Sequence, residues 1–343
     1  MKRCILLWVL LLLCAGCGES TNGDAVASVD STTVLNTNYT PVTIRSYNEK
    51  GQFYDAIYTK EPRRIVAVWQ NSIETLIALG EGKKIVAGIG IPDAKYVRPE
   101  YRIAYENIPY KSLENLDLET ILMMKADFMV GWRSTFTPKT LQTAEFWHRR
   151  GVHTYIAASS FGNLPETQTI ETEYQYIRDL GSIFHKELIA ESLIHDMEYM
   201  ITHTVENTAS ETPPTVAFVE LQGKMLRLYG IHTLAGNIGI RLHAHVMDLD
   251  SSLISMEDLI RVNPDVIFLI VSDGSYRDAD AQMSYLIKQP SLQGLQAIRN
   301  HRVHFLPLLA VYSPGIRLSD GITIISHGLY PHVYPEGVPD YLH

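Results

Sequence analysis

The sequence predicts an α/β protein built as two lobes with mainly parallel sheets, joined by a single long helix. Three observations carry this. Residues 171–207 are helix-forming almost throughout, with one interruption at Gly181-Ser182. From Lys186 onward, Ile189, Leu193, Met197, Met200 and Ile201 recur at three- and four-residue steps, with Lys186, Glu187, Glu191, His195, Asp196 and Glu198 on the other faces. About twenty residues at 1.5 Å each span roughly 30 Å, the width of a small domain, so this helix reaches from one core to another. Second, both flanks alternate short apolar strands with helical segments, the signature of parallel sheets. Third, 343 residues with 46% hydrophobic and 20% charged content supply enough apolar surface for two cores.

The first residues make a secretory signal. Lys2 and Arg3 form a positive start, residues 5–13 an apolar run, and Ala15-Gly16 a small-residue cleavage site. That run is far short of the ~20 residues a membrane span requires. Leu13-Cys14-Ala15-Gly16-Cys17 resembles a bacterial lipobox, which implies lipidation of Cys17, although Cys14 stands where that pattern prefers Leu. Cys4 and Cys14 leave with the signal and Cys17 carries lipid, so no disulfide is expected. Loss of Lys2 and Arg3 takes the net charge from −9 to −11, so the membrane is held by lipid and not by attraction to anionic headgroups. The same acidity, without any basic stripe, excludes a nucleic-acid surface.

The predicted organisation is a signal peptide at 1–16, a flexible tether at 17–41, a first lobe at 42–168, that lobe's last helix and the interlobe helix at 169–210, and a second lobe at 211–343. Residues 42–44 and 53–58 flank Asn48-Glu49-Lys50-Gly51, a hairpin turn in which Gly51 supplies the positive φ. The first lobe proper opens at Glu61-Pro62. A strand at 64–69 precedes a helix at 72–79 that ends at Gly80, and a strand at 84–89 follows. An irregular loop at 91–110 leads to a helix at 117–125, a strand at 128–132, a helix at 139–150 and a strand at 153–158. Beyond Pro213-Pro214, a strand at 215–221 is extended by 224–229; a helix at 234–242, a short helix at 256–262, strands at 265–271 and 302–306, and a helix at 315–329 complete the chain. There is a coarse two-fold echo: residues 117–130 and 255–267 share a helix–Asp–strand pattern.

Seven segments in order resemble the extracytoplasmic solute-binding proteins that serve ABC importers of iron–siderophore complexes, haem or cobalamin. They are the stretches 62–68, 74–80, 116–119, 126–130, 257–260, 263–267 and 297–303, so the likeness runs from about residue 62 to 331. It departs at Ala126, where the family usually has Pro before the Asp, and at His243-Ala244-His245, where it tends to place paired glycines. His tolerates positive φ better than most residues, so the second change leaves the backbone path open. The resemblance implies a ligand cleft between the lobes, a monomer, no intrinsic cofactor, and docking onto the permease transmembrane subunits through one carboxylate per lobe, Glu119 and Glu257.

Open α/β sheets bind ligands at the C-terminal ends of their strands. There the sequence places Trp69 and Gln70, Trp132 and Arg133 in the first lobe, and Glu220, His232, Tyr312 and Arg317 in the second. Such a lining suits a large planar or macrocyclic ligand, an iron chelate, haem or a corrinoid: the aromatics give contact area and Arg pairs carboxylates. A haem would take His232 or Tyr312 as its axial ligand. His243 with His245, and His148 with His153, lack a third ligand at metal spacing and are assigned no metal. Gly88-x-Gly90 lacks a dinucleotide fingerprint, Gly236 and Gly239 serve close packing, and no hydrolase elbow or zinc-protease helix occurs. Catalysis is not expected. A ligand-sensing lipoprotein and an extracytoplasmic enzyme acting on a metal chelate are the alternatives. Cys17→Ala should release the protein from membranes, read by fractionation of cells expressing it; a variant that stays with the membrane would remove the lipobox reading.

Overall fold

The computed structural model describes residues 39–162, 164–272 and 278–338; the signal peptide, Cys17 and most of the tether lie outside them. Strands β1 (Val42–Tyr47) and β2 (Phe53–Tyr58) pair antiparallel across the expected turn, with Gly51 at φ +79° and its N–H donating to the Asn48 carbonyl at 3.0 Å. The hairpin is sewn to the first lobe by Tyr58, whose buried ring lies 4.6 Å from that of His153.

The first lobe runs β3 (Ile65–Val68), α1 (Gln70–Ala78), β4 (Ile85–Ile89), α2 (Arg102–Glu106), β5 (Tyr110–Ser112), α3 (Leu118–Met123), β6 (Phe128–Gly131), α4 (Ala144–His148) and β7 (His153–Ile156). Its sheet has the order β5-β4-β3-β6-β7 with every pairing parallel. Both faces are covered, so β3 and β6 are buried along their whole length and carry continuous apolar runs. The helix expected at 139–150 is reduced to α4. The Thr140 hydroxyl bonds the carbonyls of Ser134 and Thr135 and fixes a turn there, and the Thr143 side chain then caps α4 by accepting from the Phe146 N–H.

Helix α5 (Ile170–Ile183) is followed by α6 (Glu187–Thr208), the long helix that bridges the lobes. The break falls at Phe184-His185-Lys186, with His185 at φ +51°, and not at Gly181-Ser182. Gly181 is inside α5 because α6 passes so close that a Cβ there would sit 2.7 Å from that of Ala190. The buried stripe of α6 is Ala190, Ile194, Met197, Ile201, Thr204 and Thr208, and Ile189 is 40% exposed. The apolar pattern is therefore rotated from the expected one, because small Ala190 and the hydroxyls of Thr204 and Thr208, which bond the carbonyls of Met200 and Thr204, face inward.

The second lobe holds β8 (Thr215–Gln222), β9 (Met225–Leu228), α7 (Leu234–Arg241), β10 (His245–Val246), β11 (Leu253–Ile254), α8 (Met256–Val262), β12 (Val266–Val271), α9 (Ala279–Ile287), α10 (Gln296–Arg299), β13 (Val303–Pro307) and α11 (Leu318–Leu329). Its sheet order is β11-β9-β8-β12-β13, with β10 pairing the start of β8. The β8–β12–β13 core is parallel, while β9 and β11 are antiparallel additions. Residues 224–229 do not extend β8; Gly223, at φ +64°, turns the chain back as β9. Gly236 lets α7 approach so closely that a Cβ would overlap the Gly230 carbonyl.

The two-fold echo has a physical cause. Asp127, ahead of β6, accepts the N–H groups of Arg63 and Arg64 at 3.1 and 2.8 Å, at the head of β3. Asp265, ahead of β12, accepts the N–H of Thr215 at 2.8 Å, at the head of β8. Each carboxylate fixes the register of two neighbouring parallel strands where the ladder begins.

Candidate functional site

The strand ends of the first lobe carry the site. Trp69, the residue between β3 and α1, has φ +72° and donates its N–H to the Ile89 carbonyl at 2.7 Å. A bulky side chain at positive φ is uncommon and needs its surroundings to hold it. Here Gly90 makes the room, since a Cβ on it would lie 2.9 Å from the indole. The Trp69 ring stacks on Trp132, with centroids 4.8 Å apart and planes 21° apart. Trp132 in turn meets Tyr312 of the second lobe edge-on at 5.3 Å. Three aromatics thus form one column across the two lobes.

Beside Trp132 and Tyr312 opens a cavity of about 850 Å³, bordered also by Arg133, Ser160 and the β1–β2 turn residues Glu49 and Lys50. Trp69 lies behind Trp132 and lines only a gap of about 10 Å³ with Gln70 and Arg317. Burial pushes the Tyr312 hydroxyl pKa up, against the pull of Arg227 and Arg133, one cation from each lobe.

Arg317 belongs to a different structure from the one expected. Its Nε meets Glu74 Oε2 at 2.5 Å and its Nη1 meets Asp320 Oδ2 at 2.6 Å. Nη2 donates to Glu74 Oε1 and to the Tyr96 carbonyl. Every guanidinium nitrogen is engaged and the residue is 5% exposed, so its role here is to join the lobes and not to meet a ligand. Arg98 adds a second cation, 2.5 Å from Asp320. Burial works against the charge on Arg317, but Glu74 and Asp320 outweigh it and raise its pKa. Burial also pushes the Glu74 carboxyl up, against Arg317 and the Arg98 N–H; the two-point contact with a permanently charged guanidinium keeps the pair ionic.

The remaining predicted residues are dispersed. Gln70 is buried and donates to the Tyr96 carbonyl at 2.7 Å, so its amide is committed to the fold. Glu220 accepts from the Tyr229 hydroxyl at 2.9 Å, with Arg227 3.9 Å away. His232 is exposed and does not border the cavity. Glu119 and Glu257 are both exposed, each the second residue of its helix, α3 and α8, and neither is ion-paired among the described residues. His243 takes φ +62° and His245 lies in β10, while the rings of His148 and His153 serve the hairpin and β7. No group of three or more potential metal ligands occurs among the described residues, and no helix there is long and apolar enough to cross a membrane. The sequence reading missed Glu49 and Lys50; the signal was a charged pair in a tight turn, without any sign of where the turn would dock.

A family model described as periplasmic binding protein matches residues 65–308. The chain belongs to that family. It is similar over its length to an uncharacterized ABC transporter substrate-binding lipoprotein, YvrC, of Bacillus subtilis, at 23% identity over 346 residues, covering 98% of this chain and 100% of that one. The crystal structure of a periplasmic binding protein from Veillonella parvula is 60% identical, with a TM-score of 0.84, covering 88% of this chain and 95% of the other. The fold is also shared with an ABC-type Fe3+-hydroxamate transport protein of Saccharomonospora viridis, at 20% identity and a TM-score of 0.66, over 84% of this chain and 99% of that one. The two-lobe periplasmic-binding-protein architecture, with its single bridging helix, is thus that of a family whose relatives are substrate-binding components of ABC importers.

In the seam between the lobes, burial moves one carboxyl toward the neutral range. Glu173 of α5 is wholly buried and accepts the Gly315 N–H of the second lobe at 2.8 Å. Burial raises its carboxyl from 4.5 to about 7, against the opposing pull of Ser159 and that N–H. The folded chain therefore binds this proton more tightly than the unfolded one, and its contribution to stability falls as pH rises from 4.5 through about 7 and is level above. The loss over that window is about 3 kcal/mol. Glu173→Gln keeps an acceptor without a charge, so urea unfolding at about pH 5 and about pH 8 should show the variant gaining on the parent at the higher pH. Equal pH dependence of the two would refute this.

Proposed function

We propose that the protein is the ligand-capturing component of an ABC importer, held outside the cytoplasmic membrane by acylated Cys17, and that its cargo is an iron complex of the siderophore kind. The observation that carries this reading is the cavity of about 850 Å³ bordered by Trp132, Arg133 and Tyr312 from both lobes, in a chain of the periplasmic-binding-protein family. Its size suits a chelate larger than a simple ion or amino acid. The family membership and the ABC-transporter relative supply the transport role, and the iron-hydroxamate protein of the same fold points to the class of cargo. In this reading Trp132, Arg133 and Tyr312 touch the ligand, and Trp69 holds Trp132 in place. No reaction is assigned.

The test of capture is native mass spectrometry of the protein from its own host, followed by titration of Trp132→Ala with the retained ligand. Loss of a stacking surface should weaken binding about tenfold. An unchanged affinity would return Trp132 to the core.

Delivery is assigned to Glu119 and Glu257. The helices that carry them precede β6 and β12, the strands beside the first strand of each lobe's parallel core, so the two carboxylates occupy equivalent places. A carboxylate near a helix start is favoured by the dipole with no partner at all. Helix capping, however, does not require the match between lobes, whereas docking onto two transmembrane subunits does. Charged pairs at an interface rim govern association and register. Replacing both residues by Arg should abolish uptake of radiolabelled iron complex with ligand affinity unchanged, and each single change should leave a partial defect. Normal uptake by the double variant would remove the docking assignment.

A further inference from the structure

The β1–β2 turn is tied to the mouth of the cavity. Its Glu49 carbonyl accepts from Arg133 Nε at 3.0 Å, and its Glu49 Oε2 accepts from the Ala144 N–H at 3.3 Å. Those two bonds reach the loop after β6 and the start of α4, so the turn closes one side of the site that the strand ends leave open. They also engage the Glu49 carboxylate, the one acidic group on the cavity wall among the described residues, with a backbone donor. The cations beside it, Lys50 and Arg133, have no carboxylate partner among the described residues, and Arg133 spends its Nε on the Glu49 carbonyl, although the protein as a whole carries a net charge of −9. Both are exposed, and Arg133 lies over the Phe161 ring at 5.9 Å, which holds its guanidinium at the wall. Arg227 of β9 also bears on Tyr312, but it is paired with Glu220 at 3.9 Å and does not border the cavity. An acidic protein has thus set two cations, Lys50 and Arg133, against one carboxylate at an aromatic-lined opening.

We infer that the β1–β2 turn is part of the binding site and that Lys50 and Arg133 select iron chelates carrying net negative charge. This rests on the iron-complex reading above and narrows it. A ferric trihydroxamate is neutral by charge balance, since three singly charged groups cancel the metal, and gains nothing from two extra cations. A ferric tris-catecholate or a carboxylate-bearing chelate keeps negative charge after the metal is bound and gains a charge-assisted contact from each cation, worth about tenfold in affinity apiece. Because both cations are exposed, the preference should weaken as salt rises.

The test titrates the purified mature protein by tryptophan fluorescence with two probes, a ferric tris-catecholate and a neutral ferric trihydroxamate, in low and high salt. The parent should bind the anionic chelate at least about tenfold more tightly. Lys50→Glu should lower that affinity by about tenfold or more and leave the trihydroxamate titration unmoved, while Lys50→Arg should restore it. Lys50 is exposed and its side chain makes no hydrogen bond or ion pair among the described residues, so an unchanged melting temperature is expected to accompany the loss. Preference for the neutral chelate, or insensitivity to Lys50→Glu, would overturn the inference and leave the iron-complex reading standing. Failure to bind either chelate would overturn both.

Discussion

A buried cluster of four charges sets the relation between the lobes. Glu74 on α1 and Arg98 in the loop between β4 and α2 belong to the first lobe; Arg317 and Asp320, at the head of α11, belong to the second. Two cations and two anions are removed from water together, which is costly in desolvation and tolerable only because each has its partner in contact. Around the cluster lie further bonds across the seam: the Gly315 N–H donates to Glu173, the Ile316 N–H to the Thr75 hydroxyl and the Ser159 hydroxyl to that of Ser313. A wide hinge opening would strip partners from buried ions. The seam therefore fixes the lobes near one geometry, and α6 behind it acts as a strut.

That constraint explains the shape of the site. If the lobes cannot travel far, the ligand must fit an opening that already exists, and the recognition chemistry has to stand ready on its walls. The aromatic column from Trp69 through Trp132 to Tyr312 crosses the seam beside the cavity, as the proposed contact of Trp132 and Tyr312 with ligand requires. Trp69 is kept at an unfavourable φ by a neighbouring glycine and a strand-end hydrogen bond, a local cost accepted where the first sheet meets the second lobe.

Much of the fold was legible in the sequence because its signals are local. Buried parallel strands announced themselves as β-branched runs, and the two Asp clamps left a visible echo. The misplacements have equally plain causes. Gly181 looked like a helix break because glycine usually is one, whereas here it admits a crossing helix. The inward face of α6 was read in part: Met197 and Ile201 are buried and Leu193 and Met200 pack against the core as expected, but threonines that bond their own helix carbonyls are buried beside them. Gly223 carried the turn that makes β9, but the apolar residues on both sides gave no hint of a reversal.

The site was less legible, for a reason that the arginines make clear. Arg133 and Arg317 both follow strand ends and both looked like ligand contacts. What separates them is partners more than two hundred residues away: Glu74 reaches Arg317 across a separation of 243 positions, while no carboxylate reaches Arg133 among the described residues. Charge pairing is a tertiary property, so local sequence cannot say whether a cation is spent on the fold or left for a ligand. The same holds for Lys50, an ordinary turn lysine until the hairpin docks beside Trp132 and gives its charge a cavity to face.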